Sequence, residues 1–452
     1  MSAASFTDAE IAAATGGALV HPGPAGTLCT DSRTLAPGQW FVALSGARFD
    51  GSAFLDAVRA RGAAGAIGPQ APEGWDRGFV AVSDPLAALQ SLARAARARF
   101  SGPVVGITGT AGKTTTRALT MLALSGLGPV GGTQGNLNNE IGVPLSVLGA
   151  SPADAAWVLE MGMNGFGQIH LLQSIGLPTV RCITNVGAGH TEGVGSVDGV
   201  AKAKGELFVA ARPGDTVCVN LDDPRVRAIP LPAGVRVVGW GRDPAADIRL
   251  REVTVRAADA HTVFTIDTPD GVVESEIAAP GEHLALCATA AVAIAVAAGA
   301  PVAGMGERLR AYAPVGMRAR LEDGPRGTRV INDAYNANPL SVAASLRTLA
   351  ALAAPRRIAL LGDMLELGPV EAAGHADTLD LALSLGLDLV GVAGPRFSAA
   401  AAGRAGVLAA PDAATLAHAL RPLLQPGDLL LIKGSRGLGM EALLSALSAE
   451  PA

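Results

Sequence analysis

Lysine is almost missing from this chain: four stand against thirty-one arginines in 452 residues. Aromatic residues are also scarce, at 4%, and the net charge is −5. With neither a basic face nor a stacking platform, nucleic acid is excluded as an expected partner. Cys29, Cys182, Cys218 and Cys287 are scattered with no CxxC pair. That spacing argues against a disulfide framework or a zinc site and for a reduced, cytoplasmic chain. The N-terminal MSAASFTDAEIAAATGG has no basic segment leading into an apolar core, so no secretion signal is expected. The most apolar run, Ala285 to Ala300, is too short to span a bilayer and suits a buried, alanine-rich helix. Internal repeats and low-complexity tracts are absent, and a monomer without membrane contact is expected.

What is present reads as α/β architecture. At roughly 150 residues per domain the length predicts three domains, placed at 1–100, 101–313 and 314–452 with a boundary at Ser101-Gly102-Pro103. The first is a small α/β unit: a strand at Gln39–Leu44, the segment SGARFDG, a helical AFLDAVRARGA, a strand GAIG and a helix LQSLARAARARF. The second opens on an apolar strand, Pro103–Ile107, and continues with strands at Ala156–Leu159 and Val180–Val186. Residues 213 to 280 are rich in Val and Thr and predict shorter, partly antiparallel strands. In the third, strands at Arg329–Ile331, Arg357–Leu361, Leu389–Ala393 and Asp428–Ile432 alternate with helices, one opened by Pro339 after Asn338. Such alternation implies a mostly parallel sheet covered on both faces.

Under strong pressure toward arginine, a retained lysine belongs where a compact ammonium or a neutral amine is required. Lys113 lies in GTAGKTTT, Lys202 and Lys204 in GVAKAKGELF, and Lys433 in LIKGSRG. The first of these segments joins a strand to a helix. Its glycines let backbone amides approach phosphate oxygens, and the helix N-terminus adds a favourable dipole. Gly109, Thr110, Ala111, Gly112, Lys113, Thr114 and Thr115 are therefore expected to hold ATP, with the Thr114 hydroxyl on Mg²⁺. The strict GxxxxGK[ST] pattern would place glycine at 107, where this chain has isoleucine.

Ligands of open α/β sheets gather beyond the carboxyl ends of strands. Glu160 ends one strand, and His190 follows another through the loop GAG, so both are candidates to approach those phosphates. Glu160 suits Mg²⁺; His190 taken alone reads more readily as a loop histidine than as a ligand. Lys202 and Lys204, two apart at an expected helix start, cannot share a face.

Together these segments resemble the Mur ligases, ATP-dependent amide-forming enzymes of peptidoglycan precursor synthesis. The resemblance implies that Glu160 and His190 are Mg²⁺ ligands. Lys204, fourteen residues after His190, then corresponds to the family's carbamylated lysine, whose carbamate helps hold a second Mg²⁺. GNLNNEIGVPLSVL, LEMGMNGFGQI, HTEGVGSVDGVAKAKGE, NDAYNANPLS, LLGDMLELG and KGSR are most similar to the branch that adds D-alanyl-D-alanine to UDP-N-acetylmuramoyl-tripeptide. TDSRTLAPGQWFVALSGARFDG resembles its nucleotide-sugar domain. The implied fold is a small N-terminal α/β domain, a central P-loop ATPase domain with a mostly parallel sheet, and a C-terminal Rossmann-like domain.

By the same resemblance Ser32 and Arg33 meet the UDP-sugar, and Asn136, Asn138 and Asn139 line the muramoyl-peptide path. His283, Cys287, Arg320, Asp333, Tyr335 and Asn336 fall to the nucleotide. Lys433, Ser435 and Arg436 fall to the dipeptide or the closed state. Helix capping by Asn138–Asn139 and a turn role for Asp333 are the plainer alternatives. Three departures stand out. The family's GxHN-xx-N reads Gly281-Glu-His283-Leu-Ala-Leu-Cys287, Ala319 stands where glycine usually precedes the arginine, and Ser52 replaces a common histidine. A Mur ligase adding one amino acid and a P-loop kinase or ATPase are the rival readings.

Overall fold

Trp40 accounts for several glycines of the N-terminal sheet. Its indole is fully buried and donates to the Pro24 carbonyl at 2.9 Å. A Cβ on Gly65 or Gly78 would come within 2.7 and 2.6 Å of the ring, so only bare backbone fits beside it. The computed structural model describes residues 4–46, 49–256 and 259–448; Ala47 and Arg48 of SGARFDG, like the first three residues, lie outside the described residues.

The described chain forms two compact units. One comprises residues up to Gly106, Leu127–Gly162 and Gln168–Thr179; the other comprises Ile107–Gly126, Met163–Gly167 and the chain from Val180 onward. The first unit carries a five-stranded sheet in the order Ala18–His21, Gly78–Ala81, Gly65–Gly68, Trp40–Val42, Leu28–Cys29. The first pairing is antiparallel and the others parallel. The expected helix AFLDAVRARGA shrinks to Leu55–Ala60 behind a 3₁₀ turn, because Gly62 takes a left-handed φ of 82° and ends it. Helix Pro85–Ala98 starts on Asp84, whose carboxylate accepts from Leu86 and Ala87 N–H. A parallel pair, Val130–Gly132 with Ala156–Glu160, and a short antiparallel pair, Ser45–Gly46 with Phe49–Asp50, also belong to this unit.

Strand Val104–Thr108 carries the chain into the second unit and the phosphate-loop helix Lys113–Leu124. There Val180–Ile183, Thr216–Asn220, Arg236–Gly241 and Ile248–Arg256 run parallel, and His261–Thr268 and Gly271–Ile277 follow antiparallel. The mixed character expected for 213 to 280 is present. Helix Glu282–Ala297 is buried on nearly every side, packs against the phosphate-loop helix and covers the strands. Its alanines let neighbours approach from all directions, as an all-round apolar helix must.

The C-terminal sheet has the order Arg320–Asp323, Arg329–Asn332, Leu429–Lys433, Arg357–Gly362, Leu389–Ala393, Val407–Ala410. Only its first pairing is antiparallel. Alternation along each strand feeds two cores. Ile331, Leu361, Val392 and Leu431 face one layer of helices, while Val330, Leu360, Leu430 and Ile432 face the other. Each such side chain contributes about 1.5–3 kcal/mol on burial. Strands Val130–Gly132, Arg320–Asp323 and Val407–Ala410 were not expected from the sequence. Among the described residues no helix is long and apolar enough to cross a membrane.

Candidate active site

The phosphate loop is built around two glycines. Gly109 has φ 151°, and a Cβ there would sit 1.8 Å from Thr184 Oγ1. Gly112, at φ 81°, begins helix Lys113–Leu124. Ile107 is fully buried within the preceding strand. Position 107 therefore fills the core, and the turn that needs glycine starts two residues later.

Thr184 and Asn185 splint the loop. The expected strand Val180–Val186 stops at Ile183, and the residues beyond it bend to the loop instead. Thr110 N–H donates to the Asn185 carbonyl at 3.0 Å, and Ala111 N–H donates to Asn185 Oδ1 at 2.9 Å. Asn185 Nδ2 and Thr184 Oγ1 both donate to the Ala111 carbonyl. Lys113 Nζ curls back to the Gly109 carbonyl at 2.8 Å, which leaves its ammonium over the loop. Thr114 and Thr115 are buried in the helix's first turn.

Lys202 and Lys204 sit in the middle of helix Val197–Val209, not at its start. Their faces differ as their spacing requires. Lys202 is exposed with its ammonium 5.5 Å from the Phe166 ring centroid. Lys204 is only 1% exposed. Burial, and after it the Lys113 ammonium, holds the Lys204 amine well below the ordinary lysine range. The structure thus separates the two lysines: one faces solvent, the other is buried where its charged form is disfavoured.

His190 is left-handed, φ 60°, at the entry to the short helix Thr191–Val194. Its Nδ1 lies 2.5 Å from Glu366 Oε2, a close contact between imidazole and carboxylate. That contact draws the Glu366 carboxyl below its usual range against the opposing effect of burial. Thr191 Oγ1 donates to the Leu367 carbonyl at 2.7 Å. Asn338 Nδ2 reaches the Thr110 carbonyl at 3.5 Å. Two C-terminal loops therefore meet the phosphate loop and the His190 turn within one compact unit.

In the first unit, Glu160 ends its strand and is buried. Its Oε1 accepts from Asn138 Nδ2 at 2.9 Å, and its N–H donates to Thr133 Oγ1. Asn139 Oδ1 accepts from Gly142 N–H at 2.8 Å at the entry to helix Gly142–Gly149. Asn138 orients Glu160, and Asn136 is exposed. Ser32 and Arg33 follow strand Leu28–Cys29; Arg33 forks onto Asp31 at 2.9 and 2.7 Å and holds that carboxyl down at about 2.

Asp333 is the hub of the C-terminal residues. Its carboxylate accepts from Lys433 Nζ at 2.5 Å, Ser345 Oγ at 2.7 Å and Ala319 N–H at 3.2 Å. Lys433 is buried and also donates to the Asn336 carbonyl. Ser435 is buried too and accepts from Leu365 N–H at 2.8 Å. Both were expected to serve the dipeptide or the closed state; in this structure their polar atoms engage neighbouring groups of the C-terminal segment. Arg436 is exposed and paired with Glu441. His283 lies near the same ion pair: burial lowers its pKa, Asp333 opposes and Lys433 adds to the lowering.

Two of the nucleotide candidates sit apart from where they were expected. Arg320 is on an edge strand, 62% exposed and beside Glu322, whereas Arg318 stacks its guanidinium 3.6 Å from the Tyr335 ring centroid. Arg318 is the arginine that meets the Asp333–Tyr335 loop. Between them Ala319 holds φ 52°, a left-handed conformation that favours glycine. Cys287, expected at adenine, is buried with Sγ 3.9 Å from the Gly112 carbonyl. Its thiol packs under the loop, pushed up by burial to about 11. Asn185, Arg318 and Glu366 are further candidates that sequence reading missed; a polar residue directly after a strand was the available signal for Asn185.

Fold and site together define a nucleotide-binding α/β enzyme. The chain belongs to the Mur ligase family: residues 107–295 match the Mur ligase middle domain, and residues 317–436 match the family's glutamate ligase domain. It is 35% identical over 432 residues to the UDP-N-acetylmuramoyl-tripeptide–D-alanyl-D-alanine ligase of Synechocystis, covering 94% of this chain and 92% of that protein. A crystal structure of MurF from Acinetobacter baumannii superposes with a TM-score of 0.91 at 30% identity over 100% of both chains. The MurF ligase of Thermotoga maritima, solved with ADP, gives 0.83 at 27% identity over 94% of this chain and 97% of that one. The three-sheet α/β fold is that of the family, and these structures place ADP or ATP binding within it.

Proposed function

We propose that this chain is an ATP-dependent ligase that joins D-alanyl-D-alanine to UDP-N-acetylmuramoyl-tripeptide in peptidoglycan precursor synthesis. The supporting observation is a phosphate loop whose Lys113 shares its field with a second lysine, Lys204, which is buried and whose amine burial holds well below the ordinary lysine range. Relatives that match nearly the whole chain bear this activity in their names. The working division gives the nucleotide-sugar to residues 1–100, ATP to 101–313 and the closing segment to 314–452. A cytoplasmic monomer suits substrates of this kind.

A carboxylate does not condense with an amine in water, because its oxygens are poor leaving groups. In the proposed reaction a carboxylate oxygen of the tripeptide attacks the γ-phosphorus and ADP departs, leaving an acyl phosphate. The unprotonated amine of the dipeptide then attacks the acyl carbon, and inorganic phosphate leaves as the amide forms. The loop amides and Lys113 would hold the phosphates in line and balance their charge.

Thr114, Glu160, His190 and Lys204 as a carbamate are the residues proposed to hold Mg²⁺. They fit chemically: burial disfavours the charged form of the Lys204 amine, which is the direction that attack on CO₂ requires, and His190 has one ring nitrogen turned to Glu366 and a second to offer. Attack of the Lys204 amine on CO₂ forms an N–C bond, releases one proton and turns a would-be cation into an anion. Bound Mg²⁺ would supply charge neutralisation at the phosphate oxygens. Arg318, Asp333 and Tyr335 would approach the nucleotide from the C-terminal segment.

The decisive assay is ADP release with UDP-muramoyl-tripeptide, comparing D-alanyl-D-alanine, single amino acids and no amine. Release that needs the dipeptide supports the proposal. Release with a single amino acid would make this a sister ligase, and release without any amine a kinase or ATPase.

A further inference from the structure

Among the described residues, His190 and Glu366 form a contact between two strained turns. Both are left-handed at non-glycine positions, φ 60° and 63°, a conformation that side chains rarely adopt without a reason in the surrounding structure. The turns are locked edge to edge. Glu192 N–H donates to the Glu366 carbonyl at 3.2 Å and Thr191 Oγ1 to the Leu367 carbonyl at 2.7 Å. A Cβ on Gly368 would lie 2.8 Å from Glu192 Cα.

The base of the Glu366 loop is anchored residue by residue. Asp363 is fully buried and accepts from Phe397 N–H at 2.8 Å and Arg396 N–H at 3.1 Å. Met364 N–H donates to His375 Nε2 at 3.0 Å, and Leu365 N–H to Ser435 Oγ at 2.8 Å. The next residue, Glu366, projects its carboxylate to within 2.5 Å of His190 Nδ1.

We propose that Glu366 is a positioning residue that orients His190 for a divalent cation, resting on the reading of His190 as a metal ligand. A carboxylate at Nδ1 holds the imidazole proton on that nitrogen. The lone pair then belongs to Nε2, with the ring direction set by the loop 363–367. Outer carboxylates of this kind commonly change metal affinity by about 10- to 100-fold. The carboxylate comes from the C-terminal segment and the imidazole from the central one, so cation binding and the seating of the Glu366 loop favour each other.

The test compares the full-length enzyme with Glu366→Gln, His190→Ala and the double variant. Mn²⁺ affinity is read by electron paramagnetic resonance in the presence of ADP, and the Mg²⁺ dependence of kcat is measured in parallel. Glu366→Gln keeps the side chain's size at a half-exposed position, and thermal unfolding checks that each variant is folded. Glu366→Gln is expected to weaken Mn²⁺ about ten-fold and to recover most of its kcat at saturating Mg²⁺. The double variant should bind no more weakly than His190→Ala. Unchanged Mn²⁺ affinity in Glu366→Gln, with a clear loss in His190→Ala, overturns the positioning role alone. Additive losses in the double variant overturn it too, since they would make Glu366 an independent ligand. Unchanged affinity in His190→Ala overturns the underlying metal-ligand reading.

Discussion

At the scale of single residues, chemistry separates side chains that composition treats alike. Lys113→Arg should lose nearly all turnover, because a planar guanidinium does not replace a compact ammonium in a phosphate loop; steady-state ADP release measures it, and near-normal activity would remove the phosphate role. Lys204→Ala should be inactive and partly restored by short carboxylic acids, while Lys202→Ala, on the solvent face with Phe166, should stay within a few-fold of wild type. The opposite ranking would reverse the assignment. Cys287 offers a pH test. With its thiol at about 11 and thiolate the reactive form, alkylation should be very slow at pH 8. It should then rise about ten-fold per pH unit toward 11. Prompt labelling at pH 8, blocked by Mg-ATP, would return Cys287 to the adenine pocket. The scarce lysines were legible in sequence because their rarity is itself a signal. Arg318, one of thirty-one arginines, carries no such mark. Its part becomes visible only when a left-handed Ala319 turns its neighbour outward.

At the scale of elements, polar residues flanking helices do two jobs that the structure lets one tell apart. Asn338 caps helix Pro339–Ala351 by accepting from Ser341 N–H at 2.9 Å, and its amide also reaches Thr110. Asn338→Ala should cost about 1 kcal/mol in urea unfolding. Asn338→Asp should keep the cap yet lose the donor to the loop, so a rise in KM for ATP at unchanged stability would mark the second job. Lys433→Met should cost about 3 kcal/mol by stranding the partly buried Asp333 carboxylate, while moving KM for D-alanyl-D-alanine little at temperatures where the protein stays folded. A large rise in that KM would restore Lys433 to the dipeptide. The parallel strands of the C-terminal sheet were readable because Leu429 to Ile432 are apolar on both faces, as a doubly covered strand must be. Val407–Ala410, with the sequence VLAA, has the composition of the neighbouring helices. It is a strand because its backbone pairs with Leu389–Ala393, a partner no local pattern reveals.

At the scale of the molecule, the phosphate loop, the His190 turn and the C-terminal loops at 338 and 366 belong to one compact unit. Adding ADP should therefore slow amide hydrogen exchange at 109–115 and at 338–341 and 366–368 together. Protection confined to 109–115 would show that the C-terminal loops respond independently. The order of motifs along the chain was legible, yet the pairing of His190 with Glu366 was not, since it joins positions 176 residues apart through two backbone conformations that sequence does not display. The lysine count has a last, practical side. Lys204 and Lys433 are shut away from solvent, which leaves Lys202 exposed and Lys113 partly so. An acylating reagent would then find two lysine targets of very different meaning. Lys202 would serve as a built-in reference, and the yield at Lys113 relative to it would report, in unpurified mixtures, how much of the enzyme holds nucleotide.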